Sequence, residues 1–340
     1  MKRCMVLHVI VLVLLATGIT GADVFQAGGD RLVMNQNGDG GWDWLFPDDD
    51  PAVSNTSAVL APTAMGLLEA YKRTGDPNHL AALQKVGTFL LNKRAGDITP
   101  EDGYLAVALD KLFGVTSYTK FVKENFYDAL AAGTYPYNIN YGAMLVNTSR
   151  YIELLQQRYE GRSNSAAVDL GIGLYAAGLM GADTKAWIAG TKAKINELRS
   201  EYLFDVLGLA AGVLGLASVG EDVDPTSGGF AVADSLADLA AILASYQLAT
   251  GGFTWNGYMM EEDAGNEQVE ETAFALLALG QFDRDLYADS IRKGASYLES
   301  IQLPSGGWEN FSGRGENTQV TGEALWAIGS AAPVQDKQSQ

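Results

Sequence analysis

Three stretches of this sequence bring carboxylates together with aromatic side chains. The first holds Trp42, Asp43, Trp44, Phe46 and Asp48-Asp49-Asp50. The second holds Trp255, Tyr258, Glu261-Glu262-Asp263, Glu267, Glu270 and Glu271. The third holds Trp308, Glu309, Phe311, Arg314 and Glu316, and Glu323 follows a short way on. Aromatic rings stack on sugar faces or on carbocations. Paired carboxylates supply the acid and the base that cleavage of a glycosidic bond needs. The same carboxylates can hold calcium, or can do nothing beyond solvating structural turns.

Within this set Glu270 and Glu271 draw attention, because they directly precede an apolar run that begins at Thr272. A carboxylate at that point sits near the positive end of a helix dipole and can cap free backbone N–H groups. We expect one of the pair to cap and the other to point inward, where burial raises its pKa into the range of a proton donor. Trp42, Trp44, Trp255, Tyr258 and Trp308 are the expected substrate-binding rings.

Other chemistries are poorly supplied. The chain has one cysteine, Cys4, and two histidines, His8 and His79, so a thiolate metal site is excluded and a zinc site has too few ligands. No glycine-rich phosphate loop precedes a helix in a strand context. Asn35-Gln36-Asn37-Gly38-Asp39-Gly40 starts like a calcium loop, but Phe46 stands where the bidentate glutamate belongs. No cofactor is expected, calcium being the one metal the acidic loops could take.

Composition narrows the partners. The chain of 340 residues is 47% hydrophobic with 9 prolines, and its formal net charge is −18. Such a surface repels nucleic acid and anionic lipid, and it repels a polyanionic substrate unless a cation intervenes. The partner expected is a carbohydrate or a hydrophobic small molecule. Lys2 and Arg3, an apolar run over residues 5–16 and Thr20-Gly21-Ala22 before Asp23 form a signal-peptide pattern. The expected division is residues 1–22 as signal, 23–332 as one domain and 333–340 as a polar tail. The mature chain would be secreted or periplasmic, without a transmembrane segment. Cleavage removes Cys4 and two positive charges, taking −18 to −20.

The elements that would position these loops follow from a repeat. Gln36-Asn-Gly-Asp-Gly-Gly-Trp42 recurs as Gln247-Leu-Ala-Thr-Gly-Gly-Phe253 and as Gln302-Leu-Pro-Ser-Gly-Gly-Trp308. Gly-Gly permits a tight reversal with positive φ, the aromatic packs back on the helices, and the glutamine can bond free backbone groups at a helix end. Each motif precedes an apolar segment, starting near Thr63, Thr272 and Thr321. Two helix types alternate between them. Residues 79–92 and 286–302 carry one apolar stripe, whereas residues 206–219 and 273–279 are apolar all round.

That alternation predicts an all-α fold, an α/α toroid of about six helical hairpins with an inner apolar and an outer amphipathic ring. Further helices are expected to begin near Pro62, Pro100, Ser117, Tyr141, Asn164, Thr184 and Ala231, with residues 24–34 completing the outer ring. No strand is expected. Counting inner and outer helices from the two ends gives opposite parity, which places a miscounted helix between Lys111 and Gly181.

The Gln-x-x-x-Gly-Gly-aromatic loops before apolar helices resemble the terpenoid cyclase and protein prenyltransferase toroid superfamily, well over residues 247–328, moderately over 36–73 and poorly between. That resemblance implies the fold; members differ in chemistry. Protein prenyltransferases hold zinc with Asp, Cys and His, a set this chain lacks. Class II terpenoid cyclases protonate an alkene with the middle aspartate of Asp-x-Asp-Asp. The resemblance assigns that role here to Asp224, in Asp222-Val223-Asp224-Pro225, although Pro225 replaces the last aspartate. Asp224 also stands six residues before Phe230, the place of Gln in the repeat. More loosely, residues 36–42 and Ala70-Tyr-Lys-Arg-Thr-Gly-Asp-Pro77 resemble toroidal polysaccharide lyases and helical-barrel glycosidases.

Three functions therefore stand open. The leading one is a secreted enzyme acting on a polysaccharide, lyase or glycosidase, at the acidic, aromatic mouth. The others are a terpenoid-cyclase-like isomerase using Asp224, and a toroid that binds carbohydrate or protein without catalysis.

Overall fold

Helices that are apolar on every side must be covered on every side. A computed structural model of the chain describes residues 21–44, 59–139, 142–158, 163–199, 205–256 and 266–331. In chain order the outer helix α1 (Gly21–Met34) leads to the inner helix α2 (Leu60–Thr74), and outer α3 (Pro77–Asn92) to inner α4 (Glu101–Phe113). Then come α5 (Ser117–Val122), a π-helical turn (Lys123–Tyr127), α6 (Asp128–Ala132), a hairpin of β1 (Tyr135–Ile139) and β2 (Gly142–Val146), and α7 (Thr148–Arg158). The second half continues with α8 (Ser163–Leu179), α9 (Lys185–Ile195), α10 (Asp205–Val219), α11 (Leu236–Ser245), α12 (Val269–Asp283), α13 (Ala288–Ser300) and α14 (Thr318–Ala331).

Helices α2, α4, α8, α10, α12 and α14 pack in that order, and α14 returns to α2, so the inner ring closes. The fold is an α/α toroid. Glycine brings inner helices together: a Cβ on Gly66 would lie 2.2 Å from the Gly322 carbonyl oxygen across α2 and α14. Gly171 meets the Ala211 carbonyl at the same 2.2 Å across α8 and α10. Each such glycine costs its helix about 1 kcal/mol relative to alanine, offset by the close packing of the backbones. No described helix is long and apolar enough to cross a membrane.

The miscounted helix lies within residues 111–181, where the parity broke. Where a helix was expected from Tyr141, β1 and β2 pair antiparallel, with Tyr135 opposite Val146. Pro136 supplies no helical N–H, and the Tyr135 ring is held edge-on by Phe126 (5.0 Å) and Tyr151 (5.7 Å). Its hydroxyl donates to the Ile98 carbonyl (2.6 Å). The hairpin links two successive peripheral segments, α5–α6 and α7, between inner helices α4 and α8. The expected start near Ala231 moves to Leu236.

The repeat motifs hold the ring together. Gln36 Nε2 donates to Gly40 (2.9 Å) and, on α3, to Ala82 (3.0 Å). Gln247 does the same to Gly251 (2.9 Å) and to Ser290 on α13 (2.8 Å). Gln302 bonds Gly306 (2.8 Å) and Val24 on α1 (3.0 Å). One bond closes the turn and the other reaches the next outer helix. Gly40, Gly251 and Gly306 have positive φ, 98°, 99° and 94°.

Two residues beyond each motif aromatic, a carbonyl reaches the opposite way. Trp44 accepts from Thr318 N–H (2.9 Å), Trp255 from Val206 N–H (3.4 Å) and Asn310 from Val269 N–H (2.9 Å). Free N–H groups at the starts of α14, α10 and α12 are thereby satisfied by loops of neighbouring hairpins. The Gln302 and Trp44 bonds cross the seam between the last hairpin and the first. Arg31 on α1 adds an ion pair to Glu316 there. Residues 1–20 of the expected signal segment and the tail after residue 332 lie outside the described residues; its last two, Gly21 and Ala22, open α1, in which Val24 and Phe25 are buried.

Candidate active site at the mouth of the ring

The first turn of α12 places three things together. Val269 opens the helix, and Glu270 and Glu271 follow. Its free N–H groups go to Asn310: the carbonyl takes Val269 N–H, and the side-chain Oδ1 takes Glu270 N–H (3.0 Å). The capping role expected of one glutamate therefore belongs to the next loop. Glu271 is fully buried, and neither of its carboxyl oxygens has a hydrogen-bond partner. Glu270 is partly exposed.

Glu323, in the second turn of α14, joins them. It too is fully buried; one oxygen accepts from Gln319 Nε2 (2.8 Å) and Oε2 has no partner. Burial raises all three carboxyls, Glu270 to about 7. Glu271 is held well above the usual range by burial, then by the charges of Glu270 and Asp205. Glu323 is likewise high, through burial and the Glu270 charge, with the Gln319 bond opposing and Glu271 adding. Burial thus disfavours the charged form of the two sealed carboxyls, while Glu270, at about 7, is poised between its two states at neutral pH.

Further in, Tyr104 of α4 lies 5.2 Å from Trp326 of α14 and 5.9 Å from Tyr175 of α8, measured between ring centroids. Helix α2 separates α14 from α4 in the ring, so the Tyr104–Trp326 contact spans the axis. Burial, and then the charges of Glu101 and Glu323, hold the Tyr104 hydroxyl protonated. Glu270 and Glu271 of α12 are thus within electrostatic reach of Glu323 of α14, and Glu323 of Tyr104 on α4. Glu323 was counted with the acidic side chains of the third stretch but given no role, and Tyr104, Tyr175 and Trp326 were not among the expected site residues. Glu323 was detectable, being the one charged side chain in α14.

The other expected residues are dispersed. Trp42 and Trp308 are fully buried, and their indole N–H groups donate to Leu32 and Leu298 carbonyls (2.8 Å each). Trp44 is 56% exposed. Trp255 is partly buried and meets Phe311 edge-on at 5.6 Å. Tyr258, residues 45–50 and residues 261–263 lie outside the described residues. Glu267 accepts from the Thr250 hydroxyl (2.8 Å), and Glu316 from Ser305 and Arg31, so both serve the loops.

Asp224 is exposed in the connection after the C-terminal end of α10, whereas Glu270 and Glu271 open the N-terminal end of α12. The structure does not bring Asp224 to the three glutamates. Its neighbours Thr226 and Ser227 bond Asn196 in place of the glutamine clasp. Among the described residues one set of metal-ligand side chains converges, Asp30, Asp76 and His79, with ligand atoms within 4.8 Å. The Gln26 amide donates to both carboxylates (2.9–3.1 Å) and ties α1 to α3 there. In the loop that resembled a calcium site, Asp39 Oδ1 instead accepts from Gly41 N–H (3.0 Å).

No protein-family model matches the chain, and no curated protein matches it. Solved structures do. An unsaturated glucuronyl hydrolase from Streptococcus agalactiae matches with a TM-score of 0.55 at 13% identity, over 93% of each chain. The corresponding hydrolase from Bacillus sp. GL1 gives 0.55 at 12%, over 89% of this chain and 94% of that one. A polysaccharide lyase gives 0.52 at 14%, over 91% and 95%. The chain shares their fold. Of the two resemblances drawn from sequence, these structures accord with the one to toroidal lyases and glycosidases.

Proposed function

We propose that this toroid is an exported enzyme acting on a neutral or weakly charged polysaccharide, with Glu270 as the group that moves the proton. The observation that carries the reading is the pairing of accessibility and pKa. Glu270 is the partly exposed member of the three glutamates, and burial brings its carboxyl to about 7. A general acid or base works best with a pKa near the working pH. Behind it burial favours the neutral forms of Glu271 and Glu323, and the Gln319 amide donates to Glu323. In hydrolysis Glu270 would take a proton from water or give one to the leaving oxygen; in elimination it would take one from a sugar carbon. Both are acid–base reactions requiring a carboxyl of this kind. The names of the structural neighbours, glucuronyl hydrolase and polysaccharide lyase, favour this reading over a cyclase built on exposed Asp224.

The test is a panel of polysaccharides plus squalene, incubated with the mature protein and with Glu270→Gln, with products read by mass. Fragments from a polysaccharide, lost in Glu270→Gln, are expected. Binding without product would leave a carbohydrate-binding toroid, and product from squalene alone would favour the cyclase. Export is tested by the N-terminus of protein from its source, expected near Asp23; intact residues 1–22 on a cytosolic protein would contradict it.

A further inference from the structure

We propose that Arg314, with Phe311 and Trp255, forms a subsite at the mouth that binds the oxyanion substituent of a sugar, a carboxylate or sulfate. The proposal rests on the reading that the mouth meets a saccharide, and it names the feature of the sugar that is recognised.

The loop before α14 is built to present this arginine. Glu309 accepts from Gly313 N–H (2.8 Å) and from Gly315 N–H (3.0 Å), the two amides flanking Arg314. Both glycines have positive φ, 84° and 86°, conformations that cost other residues about 1 kcal/mol or more. Arg314 N–H donates to the Phe311 carbonyl (3.2 Å), closing the turn. The Glu309 charge is thereby engaged by the backbone beneath the arginine. The guanidinium lies over the Phe311 ring, 4.7 Å from its centroid, and Phe311 meets Trp255 edge-on at 5.6 Å.

Arg314 is exposed and forms no ion pair among the described residues, in a chain with 41 acidic and 23 basic side chains. Stacking covers a face of the guanidinium and leaves its N–H edge, the part that grips a carboxylate with two parallel bonds. Its position is fixed relative to the glutamates. Asn310, beside Phe311, caps α12 at Glu270, and the Trp255 carbonyl caps α10 beside Asp205. An anionic sugar seated on Trp255 and held at Arg314 would lie over the helix ends that carry Glu270 and Glu271. One cation suits one anionic group near the reacting residue, and the acidic remainder of the surface still disfavours a polyanionic chain.

The test uses the full mature chain carrying Glu270→Gln, so that no turnover interferes. Affinities for methyl glucuronide, a 6-sulfated methyl glucoside and plain methyl glucoside are measured by calorimetry or NMR at low salt. We expect one or both anionic sugars to bind on the order of tenfold tighter than the neutral one. A gain for the glucuronide alone identifies a planar carboxylate as the ligand, and a gain for both identifies any oxyanion. Adding Arg314→Gln should bring the ratio to about one, with the melting temperature held as the control for folding. No preference in the parent, or a preference that survives Arg314→Gln, would overturn the subsite. Anion preference without product from wild-type protein would leave the subsite and remove the enzyme. Product from polysaccharide without anion preference would remove the subsite alone.

Discussion

A glutamate whose two oxygens are sealed from water and from donors is costly as an anion. Glu271 is such a group, and Glu323 is close to it. Their raised pKa values, with that of Glu270, mean that the folded state binds protons more tightly than the unfolded chain, where the reference is 4.5. Stability from this source is therefore complete below about pH 4.5 and is lost as pH rises through the folded pKa values, beginning with Glu270 near 7. Glu271→Gln should melt higher than wild type at pH 8 and nearly level with it at pH 4. A lower melting temperature at pH 8 would show that the carboxylate has a partner. The sequence exposed Glu270 and Glu271 because they stand directly before an apolar helix. The cap could not be read there, because Asn310 reaches it from 40 residues away.

At the level of the element, the repeat loops act as two-way clasps rather than as simple turns. Asn310→Ala removes the side-chain cap of α12 and should cost about 1 kcal/mol in denaturant unfolding, while leaving its backbone clasp to Val269. An unchanged midpoint would mean that water replaces the amide. Lys93 makes a buried pair with Asp102 at 2.7 Å, joining α3 to α4. Lys93→Met should cost about 3–5 kcal/mol, because the aspartate is left charged and buried. Both helix types were legible, since a stripe and an all-round apolar surface differ over a dozen residues. The hairpin was not. Its strands have five residues each, too few for an alternation to stand out, and its pairing partners are what make Tyr135 and Val146 buried.

For the molecule as a whole, closure is the feature that matters, because it sets glutamates of α12 and α14 opposite Tyr104 of α4. The seam is α2 against α14, where Gly66 and Gly322 meet backbone to backbone. Gly66→Val cannot be absorbed by a rotamer change and should cost at least about 1–3 kcal/mol, with earlier proteolysis near the seam. Unaltered unfolding would mean that the inner helices part easily. The ring could be anticipated from three motifs and two helix types, but its axis could not, because the residues that meet there come from helices far apart in sequence. The central claim is that the axial glutamates do acid–base chemistry on a sugar polymer. Its most direct test is the pH dependence of kcat/KM for a polysaccharide found by the panel, in wild type and Glu270→Gln. We predict a limb near pH 7 that belongs to Glu270 and activity that falls by at least on the order of a hundredfold in the variant. A profile flat across neutral pH, or turnover in Glu270→Gln equal to wild type, would contradict it.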